Sequence, residues 1–323
     1  MKPSLSLEPV VGPNWHYAAE LGITDIVAIR DQTDEVPIWD LPVLEHVKKT
    51  YEDFGFRVAV LEGWVPFDSF RLRKPDADLD LKRMIAVIEN MGKLGIGVLC
   101  YSWMAVNNWT RTSTATPTRG GALTSSYDHA VSERDPRSRQ GIVVSEDLLW
   151  ETLEQFLKAI VPVAEKAGVK LAIHPDDPPL SPLFGVGRIM RSVEAFDTAL
   201  KLVDSPANGI TFCQGNFAAM NADVPAAIRH LGRDGRIHFA HFRDIVGDAY
   251  QMTETFHDAG KTDMLAAMRA YRDIGFSGVM RTDHAPVMWG EDNGRPGYKS
   301  LGHIYAIGYM RGLMEAVAAD AGR

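Results

Sequence analysis

Cysteine is nearly absent from the 323 residues. Only Cys100 and Cys213 occur, too few for a disulfide scaffold and in keeping with a reducing compartment. No uninterrupted apolar run reaches the roughly 18 residues of a membrane-spanning helix, and the opening MKPSLSLEPVVGPNW places Pro3, Glu8 and Pro9 where a signal peptide needs an apolar core. The expectation is a cytoplasmic chain with no membrane partner. Positive charge is in deficit, with 34 Lys and Arg against 42 Asp and Glu for a net charge of −8, which repels phosphate backbones over most of the surface. A nucleic-acid partner is therefore not expected. The chain also lacks a Pro/Gly/Ser-rich linker and a GxGxxG turn after its first strand, which argues against two domains and against a dinucleotide-binding open sheet.

What is present is an ordinary globular composition, 46% hydrophobic and 24% charged, enough for a sizeable core. Eight short β-rich runs recur, around Ser6–Val11, Asp25–Ile29, Arg57–Leu61, Gly97–Ser102, Lys170–Pro175, Gly209–Cys213, Arg236–Phe242 and Gly278–Asp283. Amphipathic stretches separate them. In LDLKRMIAVIENMGKL, for example, Met84, Val87, Ile88 and Met91 repeat at helical spacing. The phrases LGITDIV, FGFRVAV, LGIGVLC, AGVKLAI and IGFSGVM each set Gly between a helix and the next strand. Eight such units predict a single (β/α)8 TIM barrel spanning 1–323, with inserted loops after strands four and seven, Asn107–Val144 and Asp244–Thr262. A doubly wound sheet is the alternative.

In such a barrel the chemistry sits at the carboxyl ends of the strands. Here the fifth strand ends in His174, the sixth in Cys213, the seventh in His241 and the eighth in Asp283 followed by His284. Imidazole, thiolate, imidazole and carboxylate on one rim suit a divalent transition metal such as Mn²⁺, Fe²⁺, Co²⁺ or Zn²⁺. Any one of them alone reads as a structural histidine or a small core hydrophobe; four at matching positions do not. On the seventh strand, period-two alternation sets His241 on the face opposite His238, so His241 is taken as the ligand and His238 as structural. Arg111, Arg243 and Arg281 stand near the same rim and are candidates for a carboxylate-bearing substrate, against the reading of rim salt bridges. Trp64, Trp103 and Trp109 stand near the third and fourth strand ends, where aromatics close over a polar ligand or merely pack.

In order and spacing these residues resemble the D-mannonate dehydratase family of xylose-isomerase-like barrels. The segments alike are CYSWMAVNNWTRT, LAIHPDDPP with FGVGRIM, DSPANGITFCQGN, GRIHFAHFRDI, TFHDAGKTDM, and TDHAP followed by GRPGYKSLGHIYAIGYMRGLMEAV. They cover most of the chain from about residue 90 onward. The resemblance implies that His174, Cys213, His241 and Asp283 bind a divalent metal, Mn²⁺ or else Fe²⁺ or Co²⁺, and that His284 and Tyr298 are the acid–base pair. Arg111, Arg243, Arg281 and Trp109 are then the substrate-binding candidates. The implied reaction removes water from a sugar acid, D-mannonate giving 2-keto-3-deoxy-D-gluconate, in a carbohydrate-metabolising lyase. A metal-dependent isomerase or epimerase, or a dehydratase of another sugar acid, is the alternative. The only partners expected are the small sugar acid and, since such barrels often associate, further copies of the chain.

Overall fold

The computed structural model describes residues 1–30 and 36–321. Eight parallel strands form the barrel. The first is in two pieces, Lys2–Ser4 and Ser6–Leu7, and the others are Asp25–Ile29, Arg57–Glu62, Val98–Ser102, Lys170–His174, Asn208–Cys213, Ile237–Phe242 and Val279–Thr282. Lys2–Ser4 pairs with the eighth strand and Ser6–Leu7 with the second, so a break at Leu5 lets one strand close the cylinder. A helix follows each strand: Pro13–Glu20, Leu41–Asp53, Ala77–Leu94, Glu146–Ala167, Val193–Leu202, Val224–Gly232, Met264–Asp273 and Ser300–Ala321. This is the (β/α)8 architecture that the alternation implies.

Local sequence explains the boundaries. Ser145 caps Glu146–Ala167 by accepting a hydrogen bond from the Leu148 amide at 3.2 Å, with Glu146 and Asp147 in the first turn. The helix stops at Gly168 and Ala77–Leu94 stops at Gly95, with φ of 70° and 71°. Both conformations suit a residue without Cβ. Val27, Val60, Cys100, Ala172, Phe239 and Val279 fill the cylinder, and a larger apolar layer lies between sheet and helices.

Two features differ from the sequence reading. The first strand lies earlier than Ser6–Val11, because Val10 and Val11 are 71% and 52% exposed on the turn into the first helix rather than paired. The two inserted segments are not separate loops. Ser113–Pro117 and Leu123–Asp128 from one join Gln251–Glu254 and Ile245–Gly247 from the other in a four-stranded antiparallel sheet. Among the described residues no helix is long and apolar enough to cross a membrane.

Gly92 shows packing overriding propensity. In an unpacked helix Gly→Ala gains about 1 kcal/mol, but a Cβ here would lie 2.6 Å from the carbonyl oxygen of Ala167 at the end of the neighbouring helix. Gly92→Ala is therefore expected to destabilise by about 1–3 kcal/mol, read as a lower urea midpoint; an unchanged or higher midpoint would show that the two helices give way.

Candidate active site

Parallel register sets the site. His241 lies beside Cys213 on one side and Arg281 on the other, while Ser102 pairs with His174, so the last residues of adjacent strands become neighbours on one rim. His174 Nε2 and His241 Nδ1 are 3.2 Å apart. Asp283 Oδ2 lies 3.5 Å from His241 Nδ1 and 3.8 Å from Cys213 Sγ. The donors of His174, Cys213 and His241 all fall within 4.8 Å of one another.

This donor set fits a first-row divalent ion. Bonds of about 2.1 Å to nitrogen or oxygen and about 2.3 Å to sulfur place neighbouring ligand atoms roughly 3–4 Å apart. The outer partners fit as well. The Pro175 carbonyl lies 2.7 Å from His174 Nδ1 and accepts its N–H, which leaves the Nε2 lone pair for an ion. The His241 Nε2 edge faces Glu62 Oε1 at 3.3 Å. Burial alone would push the Cys213 thiol up, but Arg243, His174 and His241 bring it down to about 6, a thiolate at neutral pH. Glu62, Cys100 and His241 form a second close group. There, however, the Arg281 guanidinium grips both Glu62 oxygens at 3.0 and 2.9 Å and the Thr211 hydroxyl donates to Cys100, so the group supports His241 from behind.

Beside these donors opens a cavity of about 670 Å³, with Trp109, His174, Asp283, His284 and Tyr298 in its wall. His284 is flanked edge-on by Trp109 and Tyr298 at ring distances of 5.4 and 5.3 Å. The Tyr298 hydroxyl donates to Asp283 Oδ1 at 3.3 Å, and burial, then the charge of Asp283, pushes its pKa up. His303, from the last helix, lies 3.0 Å from the Gly297 carbonyl and 2.7 Å from the Thr282 hydroxyl, tying the Tyr298 loop to the eighth strand.

The three arginines are all committed to carboxylates. Arg281 holds Glu62 and donates to Asp283 Oδ1 at 2.7 Å. Arg111 forms a two-pronged pair with Asp177 at 2.6 and 3.0 Å and reaches Glu254 as well. Arg243 donates to Asp177 at 2.9 Å, Asn216 at 3.0 Å and Glu254 at 3.0 Å, and its Nη1 lies 3.5 Å from Cys213 Sγ. Burial would raise Glu254, yet Arg243, His284 and Arg111 hold it down to about 2; the same arginines keep Asp177 ionised.

Among the other candidates, Trp109 is 38% exposed with the Arg111 guanidinium over its ring. Trp103 is a core residue whose indole donates to the Leu149 carbonyl, while Trp64, buried with its indole donating to the Ala28 carbonyl, also lines the cavity. His238 faces away from the rim, its Nδ1 2.8 Å from the Leu171 carbonyl. Sequence reasoning missed Glu62, Asp177 and Glu254. The strand-end rule reaches Glu62, the last residue of the third strand, and Asp177 stands inside LAIHPDDPP, but nothing local distinguishes Glu254.

Comparison with known proteins supplies the relationship. The family model for D-mannonate dehydratase (UxuA) matches residues 14–143 and 140–322. Mannonate dehydratase 2 of Halalkalibacterium halodurans is 34% identical over 308 residues, covering 87% of this chain and 89% of the relative. The mannonate dehydratase of Thermotoga petrophila is 36% identical over 331 residues, covering 92% and 91%. The crystal structure of mannonate dehydratase from Streptococcus suis serotype 2 superposes with a TM-score of 0.92 at 34% identity, over 100% of this chain and 96% of that one. A D-psicose 3-epimerase, at 15% identity and a TM-score of 0.60, shares the fold alone.

The electrostatics set a proton cost on metal uptake. Without metal, burial and Arg281 work against a charged His241, but Glu62 and Asp283 outweigh them and raise it to about 10. An entering ion must displace that proton, so affinity should rise about tenfold per pH unit near neutrality. Approaching about pH 6 the dependence should steepen, because Cys213 then also takes up a proton. Calorimetric titration of the metal-stripped protein with Mn²⁺ across this range reads the effect, and a pH-independent affinity would contradict it.

Proposed function

We propose, from the premise that the chain belongs to the D-mannonate dehydratase family, that it is a metal-dependent hydro-lyase converting D-mannonate to 2-keto-3-deoxy-D-gluconate. The observation carrying this reading is that the donors of His174, Cys213, His241 and Asp283 converge, and that His174 and Asp283 among them line one cavity with His284 and Tyr298. Mn²⁺, Fe²⁺ or Co²⁺ are the ions the mixed nitrogen, sulfur and oxygen set would accept. The C2 proton of an aldonate is weakly acidic because its loss adds charge next to a carboxylate. A bound divalent ion supplies Lewis-acid stabilisation of that charge.

The chain's own residues account for the proton transfers. Tyr298, whose hydroxyl is kept protonated by burial and by Asp283, is the proton donor. His284 is then the base that takes the C2 proton. As the C2–H bond breaks, its electron pair forms the C2–C3 double bond and the C3–O bond breaks, the departing hydroxyl leaving as water with the Tyr298 proton. The enol ketonises by losing its hydroxyl proton and gaining one at C3, and both side chains return to their starting state. Trp109 packs against His284 and closes the wall of the site. Arg111 and Arg243 act on the substrate indirectly, by balancing Asp177 and Glu254, whereas Arg281 also lines the cavity.

The test is to supply the metal-reconstituted protein with D-mannonate and a panel of other hexonates and ketoses and to measure 2-keto-3-deoxy acid. Turnover of D-mannonate is expected, and turnover of ketoses alone would move the activity to isomerisation. Tyr298→Phe should keep fold and metal while lowering kcat by about 10²–10⁴-fold. A wild-type kcat in that variant would remove Tyr298 from the proton transfers.

A further inference from the structure

Glu254 is a buried carboxylate whose two oxygens are used unequally. Oε1 accepts from Arg111, from Arg243 and, at 2.8 Å, from His284 Nδ1, whereas Oε2 has no partner among the described residues. Glu254 is absent from the cavity wall and His284 is in it, so the carboxylate stands behind the imidazole as seen from the substrate. We infer that Glu254 is the positioning residue for His284: it fixes the proton on Nδ1, holds the ring, and leaves Nε2 as the nitrogen presented to the reacting carbon. The inference rests on the proton-transfer reading above and adds a residue to it.

Three observations support it. First, the imidazole is packed on both flanks by Trp109 and Tyr298, and at Gly297 a Cβ would lie 3.3 Å from His284 Cδ2, so a ring held at Nδ1 has little freedom to turn. Second, Glu254 is itself rigid. It ends the strand Gln251–Glu254 and pairs with Ile245 in the antiparallel sheet, and the next amide, Thr255, donates to the Asp244 carbonyl. Third, Arg111 and Arg243 both anchor the Glu254 oxygen that meets His284, so the carboxylate is held in place behind the ring of His284. A carboxylate placed this way orients the ring, as it does behind a catalytic imidazole in acyl-transfer triads.

Glu254→Gln keeps the shape and the accepting oxygen and removes the charge. The expected result is a 10–100-fold loss of kcat, with KM and bound metal within about twofold of wild type. Positioning also predicts non-additivity. Adding Glu254→Gln to His284→Ala should cost less than about threefold, because the carboxylate has no imidazole left to hold. A wild-type kcat in Glu254→Gln, a fully multiplicative loss in the double variant, or loss of metal from folded Glu254→Gln each overturns the inference; the last would make Glu254 a counter-ion for the arginines. Should Glu254→Gln fail to fold, proton NMR of the metal-free wild type decides. A downfield imidazole N–H that disappears in His284→Ala is required, and its absence counts against the inference. Wild-type turnover by His284→Ala would instead sink the base assignment itself, so the two failures are distinguishable.

Discussion

One buried cation, the guanidinium of Arg243, joins the two halves of the site. It is within 3.5 Å of the Cys213 thiolate on the metal-ligand side and 3.0 Å from Glu254, which touches His284, on the proton-transfer side. Asp177 and Asn216 complete its shell. A charge in this position is tolerated because its two Nη groups meet carboxylates, an amide oxygen and a thiolate; leaving one member of such a cluster uncompensated costs about 3–5 kcal/mol. The backbone is shaped around it, since a Cβ on Gly215 would lie 2.9 Å from the Arg243 side chain. That explains in physical terms why FCQGN has glycine between Gln214 and Asn216.

The same cluster makes the inserted segments part of the site. Arg111 precedes the two strands of one insertion and Glu254 ends a strand from the other, and the two side chains meet where the segments pair in one sheet. Pairing Met252 with Tyr127 orders loop backbone that would otherwise carry the entropy of long connections. The barrel rim supplies the donors; the antiparallel sheet supplies the carboxylate behind His284.

How much of this can be read from sequence follows from the range of the interactions. The barrel is legible because helix, glycine and strand recur locally, and the fifth to eighth strand ends are legible because parallel register makes final residues neighbours. The antiparallel sheet is not, since its two local hairpins are joined by a pairing of Leu123–Asp128 with Gln251–Glu254 across distant insertions. Arg111 looks like a free rim cation in the sequence because its partners are 66 and 143 residues away. Val10 and Val11 misplace the first strand for the opposite reason: an apolar pair beside Pro9 and Pro13 imitates a buried strand but stays exposed on the turn.

His238 and His241 show how far three residues on one strand separate two fates. His238 packs over Gly209, where a Cβ would come within 2.3 Å of its ring, and is bound to the Leu171 carbonyl. Burial pushes it down to about 4 with no carboxylate among the largest influences on it, so it is a neutral packing group at any physiological pH. His241 is as buried, but Glu62 and Asp283 lie against its two nitrogens. Their charges reverse the effect of burial and create a position that must hold a positive charge, a proton when metal is absent. The identity of the side chain is the same; what makes one of them a ligand is the acidic company supplied by the third and eighth strands. Arg281 meets those two carboxylates from one side and His241 from the other, and of the two cations only the imidazole can release its proton to an entering ion.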